Sequence, residues 1–258
     1  MSAVKGTLEE LTTKAKIGLV VVSASTVSEL RYPRAAPDVG FLASRMLLGG
    51  DHGLEALLEM ERNSPRAVQE LASAGVDSIA YCCTVSGAQR GLAKDREFCE
   101  EMERQWGSPT TSTMLAASEA LLHLGIRKVV LTSPYPHSYH EAESRYLAEA
   151  GIETVAASGM GFREAAEFAA VPPDEIYRFS LEAWQQSGGE ADGLFISCMN
   201  FDAMAAAQAL EDAIGKPVVT SHSATLWRAL ALAGVAEPVH GYGRLLAESR
   251  VVSSLVAA

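Results

Sequence analysis

No stretch of this 258-residue chain stays apolar for the roughly 20 residues a bilayer-spanning helix needs. Nucleotide signatures are missing too: there is no Walker A sequence, and no G-x-G-x-x-G sits between a strand and a helix. Positive charge is in short supply. Lys and Arg number 21 against 32 Asp and Glu, a net charge of −11. Such a chain is a poor partner for nucleic acid or anionic lipid, which need a basic face. Cysteine is sparse, with only Cys82, Cys83, Cys99 and Cys198, and no C-x-x-C spacing suggests zinc. The polar start, residues 1–16 with Glu9 and Glu10, lacks the form of a secretory signal. The expected location is therefore the cytoplasm, where a disulfide framework is not expected. His137 and His140 lack a third ligand motif, so they read as a polar loop and no metal is expected.

What the chain does have is globular: 48% hydrophobic and 21% charged residues, in a length that suits one large domain or two of about 100–150 residues. Short Val- and Ile-rich runs alternate with helical periods, the pattern of a parallel sheet covered by helices. Strands are expected over 17–23, 76–83, 128–133, 152–156, 193–198 and 217–221. Helices are expected over 64–74, 94–105, 114–124, 138–150, 173–186, 201–214 and 224–233. Gly75, Gly125, Gly151, Gly215 and Gly234 each fall just past a helix, and Pro172 and Pro173 open one. Residues 25–53 read as a long loop reaching over something, with Glu29, Asp38 and Asp51 as solvated surface groups.

An internal repeat organises these elements. GVDSIAYCC, ending at Cys83, matches EADGLFISC, ending at Cys198, with Asp77 and Asp192 six residues before each cysteine. IGLVVVS, ending at Ser23, resembles RKVVLTS, ending at Ser133. WGSPTTSTMLAASEALLHLG resembles IGKPVVTSHSATLWRALALAG, with Pro109 on Pro217. The order is common to both copies, so the chain reads as a duplicated α/β unit. Registering the aspartates pairs Cys83 with Cys198 and leaves Cys82 unmatched. Neighbours on a strand point to opposite sides, so Cys82 is assigned to the core. Cys99, beside Phe98 and Met102, is assigned there as well.

Ligands of open parallel sheets bind beyond the carboxyl ends of the strands. Cys83 and Cys198 both stand at such ends. Facing each other across a pseudo-twofold axis, they would approach one cavity from opposite sides. The amides of the following helices would lower each thiol's pKa and attract an anion. That suits proton transfer at a planar carbanion, or thiolate addition to an activated double bond. Thr84, Ser86 and Gly87 after the first cysteine, and Met199 and Asn200 after the second, could hold a carboxylate or simply cap helices. Ser23, Ser25 and the 133–135 segment should reach the same cleft, as should the loop carrying His222. The early loop could close over the substrate.

At GLVVVSASTVSE, Arg31-Tyr32-Pro33, AYCCTVSG, TSPY, ISCMN, VVTSHSATLW and GYGRLL, the chain resembles the aspartate/glutamate racemase superfamily, within it the maleate cis–trans isomerases and arylmalonate decarboxylases. The resemblance covers nearly the whole chain. It implies two pseudo-twofold-related parallel-sheet α/β domains with the active site in the cleft between them. The expected division is 1–112 plus 221–258, and 113–220. It also implies catalysis without a cofactor, with Cys83 and Cys198 as the catalytic pair, Tyr135 binding a carboxylate, and Thr84 and Val85 in the anion pocket. A small carboxylate is the implied substrate, and a homo-oligomer is compatible. Decarboxylases of the group have glycine at the position of Cys83, so two cysteines favour isomerisation or racemisation. The alternatives are decarboxylation through Cys198 alone, or a two-lobed binding protein whose cysteines only pack. Ser25 replaces an asparagine usual in maleate isomerases. Phe162 and Arg163 stand where a second is expected, and Ser221-His222-Ser223-Ala224 replaces SNQA.

Overall fold

The computed structural model describes residues 14–49 and 54–248, so Asp51 and most of the polar start lie outside the described residues. Its strands form two parallel four-stranded sheets. In the first, β1 (Ala15–Val22), β2 (Val39–Met46), β3 (Ser78–Cys82) and β4 (Thr110–Ser112) lie in the order β2-β1-β3-β4. In the second, β5 (Lys128–Ser133), β6 (Glu153–Gly159), β7 (Gly193–Ile196) and β8 (Val218–Thr220) repeat that order as β6-β5-β7-β8. The first half carries helices α1 (Val27–Ala35), α2 (Leu54–Glu61), α3 (Ser64–Ser73), α4 (Thr84–Arg90), α5 (Leu92–Trp106) and α6 (Thr113–His123). Then follow α7 (His140–Glu149), α8 (Ala165–Ala170), α9 (Pro173–Gln186), α10 (Ala207–Ile214), α11 (Ser221–Leu232) and α12 (Arg244–Ala247).

The central strands are apolar on both faces because helices cover both sides. In β1, Ile17, Leu19 and Val21 join one apolar cluster while Val20 and Val22 join another. The first cluster is shared between the sheets: Val129 and Leu131 of β5, Phe195 of β7 and Val219 of β8 enter it, together with α6 and α11. These two helices pack against each other, and a buried ion pair joins Arg228 to Glu119 at 2.9 Å. No helix among the described residues is long and apolar enough to cross a membrane.

The duplicated aspartates do equivalent work. Asp77 Oδ2 accepts from the Lys16 amide at 2.7 Å, and its own N–H donates to the Lys16 carbonyl at 2.8 Å. Asp192 accepts from the amides of Arg127 (3.0 Å) and Lys128 (2.9 Å) and donates to the Lys128 carbonyl at 2.7 Å. Each pins the start of its strand to the neighbouring one. Pro109 and Pro217 match likewise, their carbonyls accepting from Ile79 and Leu194.

The register corrects one match. Ile17 pairs with Ser78 and Val129 with Gly193, so Ser23 is equivalent to Tyr135, not to Ser133. Valine runs slide by two residues without changing which side chains face in, and that hides the slip in a sequence.

Residues 25–53 are not one long loop: α1 and β2 lie within them. Pro33 sits in the last turn of α1, and β2 is an edge strand with part-exposed positions and no clean alternation. Both features hide regular structure. β4 escaped notice because its three residues are Thr, Thr and Ser, all buried. The strand expected over 217–221 ends at Thr220, where a capping box begins α11 three residues earlier than expected. Thr220 Oγ1 accepts from the Ser223 amide, and Ser223 Oγ from the Thr220 amide, both at 2.9 Å. His222 therefore lies inside a helix, not in a loop.

Candidate active site

β3 delivers Cys83 as the N-cap of α4, in ordinary extended backbone at φ −146°. β7 ends at Ile196, and Cys198 follows two residues later at φ +106°. No other described non-glycine residue has a positive φ. A side chain in that region costs about 1–3 kcal/mol and persists only where its surroundings dictate it. Here the Cys198 amide donates to Ser221 Oγ at 3.0 Å, and the Asn200 amide donates to the Cys198 sulfur at 3.3 Å. Ser221 Oγ also lies 3.1 Å from Thr84 Oγ1, so one hydroxyl ties the two cysteine loops together.

Both cysteines line a single cavity of about 90 Å³. One water needs about 10–15 Å³, so the space admits a small organic molecule. Its inner wall carries Ser25, Thr84, Val85, Tyr135, Met199 and Asn200 beside the sulfurs; Leu48, Leu57, Phe162 and Phe168 add apolar surface. In a chain with 32 acidic residues, no carboxylate among the described residues lines this space; Arg163 is the one charged residue among the described ones that do, and it is exposed. That polarity suits an anion.

Burial pushes both thiols up. The Cys198 thiol reaches about 12, against the pull of the Tyr135 hydroxyl and the Asn200 amide, which hydrogen-bond its sulfur. The Cys83 thiol is raised by burial and drawn back by the hydroxyl and amide of Ser86. Helix-end amides were expected to lower both; in these nearly closed surroundings, desolvation outweighs them. Tyr135 is fully buried, its hydroxyl held well above the usual range by burial and by Cys198. Its approach depends on Gly159, since a β-carbon there would collide with the Tyr135 carbonyl oxygen.

The remaining expected residues are placed differently. Ser23 does not line the cavity; its hydroxyl accepts from the Leu48 amide at 3.0 Å and so fixes the chain after β2. His222 is absent from the wall as well: inside α11, it is fully buried edge-on to Tyr32 with ring centres 5.8 Å apart. Burial holds its imidazole down at about 4, so it is neutral. The side chain of Asn200 is already engaged, accepting from the Thr26 amide (2.9 Å) and donating to the Ala165 carbonyl (2.7 Å). Cys82 touches the cavity too, but its sulfur turns to the Ala80 carbonyl at 3.4 Å and joins the inter-sheet core. Cys99 is buried. His137 and His140 meet at 3.4 Å, and no group of three His, Cys, Asp or Glu among the described residues is arranged to hold a metal. Of the carboxylates assigned to solvent, Glu29 pairs with Arg45 and Asp38 with Lys14.

Three features escaped the sequence. Ser221 is the hub described above. Ser86, three residues after Cys83, acts on that thiol and does not line the cavity, a relation that an i,i+3 reading of AYCCTVS could have found. Glu143 is a fully buried carboxyl bonded to Ser197, the residue before Cys198.

The family model of arylmalonate decarboxylase matches residues 17–246. This chain belongs to the arylmalonate decarboxylase family. Among curated relatives, the arylmalonate decarboxylase of Bordetella bronchiseptica is 29% identical over 236 residues, covering 90% of this chain and 97% of that one. The maleate isomerase of Pseudomonas putida is 26% identical, covering 90% and 96%. A liganded arylmalonate decarboxylase, with a glycine replaced by cysteine and a cysteine by serine, superposes with a TM-score of 0.83 at 26% identity, covering 90% and 98%. A Nocardia farcinica maleate cis–trans isomerase variant with a covalently bound succinylcysteine intermediate shares the fold, with a TM-score of 0.84 at 23% identity and the same coverage. Both kinds of relative are enzymes, and their solved structures share this doubled α/β architecture.

Proposed function

We propose that this protein isomerises or racemises a small carboxylic acid without a cofactor, using Cys83 and Cys198 on opposite sides of the substrate. The observation that carries the reading is one small cavity lined by both cysteines and, among the described residues, by no charge other than the cation of Arg163. The acid's carboxylate lies against Thr84, Val85 and Tyr135. In racemisation one thiolate takes the α-proton, the electron pair moves into the carboxylate as an enediolate, and the opposite thiol protonates the other face. In cis–trans isomerisation a thiolate forms a C–S bond to one alkene carbon, and the π pair moves to the other carbon and its carboxylate. Rotation about the new single bond and expulsion of the same thiolate complete the reaction, with no net redox change. The succinylcysteine of the Nocardia farcinica enzyme is the kind of adduct this second route forms.

Raised thiol pKa values give the substrate a task. Ionising a thiol near 12 at pH 7 costs about 7 kcal/mol. The resting enzyme therefore holds neutral thiols, and in the filled site the reacting thiol passes its proton to solvent or to the acid's carboxylate as the thiolate forms. A panel of small mono- and dicarboxylic acids in heavy water tests the reading. Deuterium at the α-carbon with inversion indicates racemisation, and a changed double-bond geometry indicates isomerisation. Full turnover by Cys83→Ala or Cys198→Ala overturns the two-cysteine mechanism.

A second reading, decarboxylation of a malonate-type acid through Cys198 alone, is favoured by the family match and the Bordetella bronchiseptica relative. Carbon dioxide release that survives Cys83→Ala would decide for it.

A further inference from the structure

Behind Cys198 lies a carboxyl with no place in the mechanism above. Glu143, on the inner face of α7, is fully buried. One oxygen is bonded by the Ser197 hydroxyl, and the other has no hydrogen-bond partner. No cation pairs with it among the described residues. A buried unpaired carboxylate is costly unless it takes a proton.

We propose that Glu143 is a positioning residue for Cys198: neutral, it braces the strained cysteine through Ser197, and ionised, its charge opposes the Cys198 thiolate and so brakes the enzyme as pH rises.

The contacts carry the argument. Ser197 directly precedes the residue at φ +106°, and its amide is tied to the Thr132 carbonyl at 2.8 Å. Its hydroxyl bond to Glu143 thus fixes the segment from both ends. Burial lifts the Glu143 carboxyl to about 7, with the Ser197 hydroxyl pulling the other way, so it changes charge near neutrality. Its charge acts on Cys198 and on Tyr135, raising both.

The other ionisable groups packed around α7 do not relieve it. His140, on the same helix, is bonded to Ser133 at 2.7 Å and held down at about 4 by burial, with His137 beside it. From α4 comes Arg90, which turns to Glu61 and Asp95. From α5 comes Asp95 itself, bonded by Tyr146 of Glu143's own helix at 2.9 Å. β6 contributes only Glu153, exposed at its start.

The inference rests on Cys198 reacting as a thiolate, and its test needs no turnover. Alkylation by iodoacetamide, followed peptide by peptide, compares wild type with Glu143→Gln at pH 5.5 and 8.5. A thiol whose pKa falls by one is about tenfold more ionised, while each thiolate becomes about threefold less nucleophilic. Cys198 in Glu143→Gln should therefore alkylate about threefold faster than wild type at pH 8.5 and equally at pH 5.5, with Cys83 unchanged at both. The same Cys198 ratio at both pH values overturns the proposal, since a purely structural loss does not depend on pH. Should Glu143→Gln fold poorly, Ser197→Ala provides the second test. Without the hydroxyl that favours the ionised form, the brake engages at higher pH, and Cys198 alkylates faster than wild type near pH 7. An unchanged rate there overturns the proposal equally.

Discussion

The two cysteine loops occupy equivalent places in a doubled fold, yet they are built differently. Cys83 has relaxed extended backbone, caps a helix and touches its own Ser86. The charges behind it are balanced: Arg90 pairs with Glu61, bonds Asp95 through Nε at 3.0 Å, and lies over the Phe98 ring at 4.2 Å. Cys198 is strained at φ +106° and backed by a lone carboxyl, Glu143. In place of an immediate helix it is followed by a short turn, Ala203–Ala205, before α10. Duplication preserved the position of the sulfur, while each copy acquired its own electrostatic backing. The difference teaches that the two thiols are not interchangeable. Cys83 is the easier to ionise: burial raises its thiol but the hydroxyl and amide of Ser86 draw it back, whereas burial lifts the Cys198 thiol to about 12 and Glu143 adds to the rise.

The largest test of this comparison removes each sulfur. Loss of a general acid or base costs about 10²–10⁴-fold, and Cys83→Ala and Cys198→Ala should both fall in that range on the substrate identified by the acid panel. A variant that keeps decarboxylation while losing isomerisation would separate the roles of the two loops. In the intact protein, Cys83 should alkylate faster than Cys198 at neutral pH, and the reverse order would break the comparison.

The next effect is on stability. Glu143 binds its proton more tightly in the folded protein than in the unfolded chain. Its contribution is therefore fully present below the ordinary glutamate range and lost as pH rises toward about 7. The loss amounts to about 3 kcal/mol above neutrality. Denaturant titrations of wild type against Glu143→Gln between pH 5 and 8 should show wild type alone losing ground. Parallel curves would mean that the carboxyl never feels its burial. Ser221→Ala comes third: it leaves the buried Cys198 amide without an acceptor and parts the two loops, for about 1–3 kcal/mol. Turnover should fall further than that loss of stability alone explains.

Much of the architecture could be read beforehand, for a physical reason. Buried parallel strands announce themselves as Val and Ile runs, and β5 (Lys128–Ser133) and α9 (Pro173–Gln186) match their expected bounds. The pairing of Cys83 with Cys198 was legible because Asp77 and Asp192 mark the register. Edge strand β2, polar β4 and Pro-bearing α1 were not, since tertiary packing rather than local pattern makes them regular. Of the cavity wall, Thr84, Met199 and Asn200 were legible because they follow the sulfurs in sequence; Val85 came from the resemblance, and Ser86 and Gly87, expected beside them, do not line the cavity. Ser221 and Glu143 approach from other elements, and no spacing rule reports a contact between residues 54 apart, as Glu143 and Ser197 are. His222 was misplaced for a single reason: the helix begins three residues early.

The smallest test goes back to the marks of duplication themselves. Asp77 holds one amide of the neighbouring strand and Asp192 holds two. Near the surface, each such bond is worth about 0.5–1 kcal/mol, so Asp192→Ala should destabilise more than Asp77→Ala. The amides of Arg127 and Lys128 hold the Asp192 carboxyl below its usual range. Its stabilisation is therefore present above the unfolded-state aspartate pKa and fades as pH falls through the lower folded value. Thermal unfolding from pH 7 down to pH 3 should show the gap between wild type and Asp192→Ala closing in acid. A gap that stays constant would mean that the side chain acts by filling space. The two strand starts would then be held by packing, and the aspartates would be marks of shared ancestry without a continuing role.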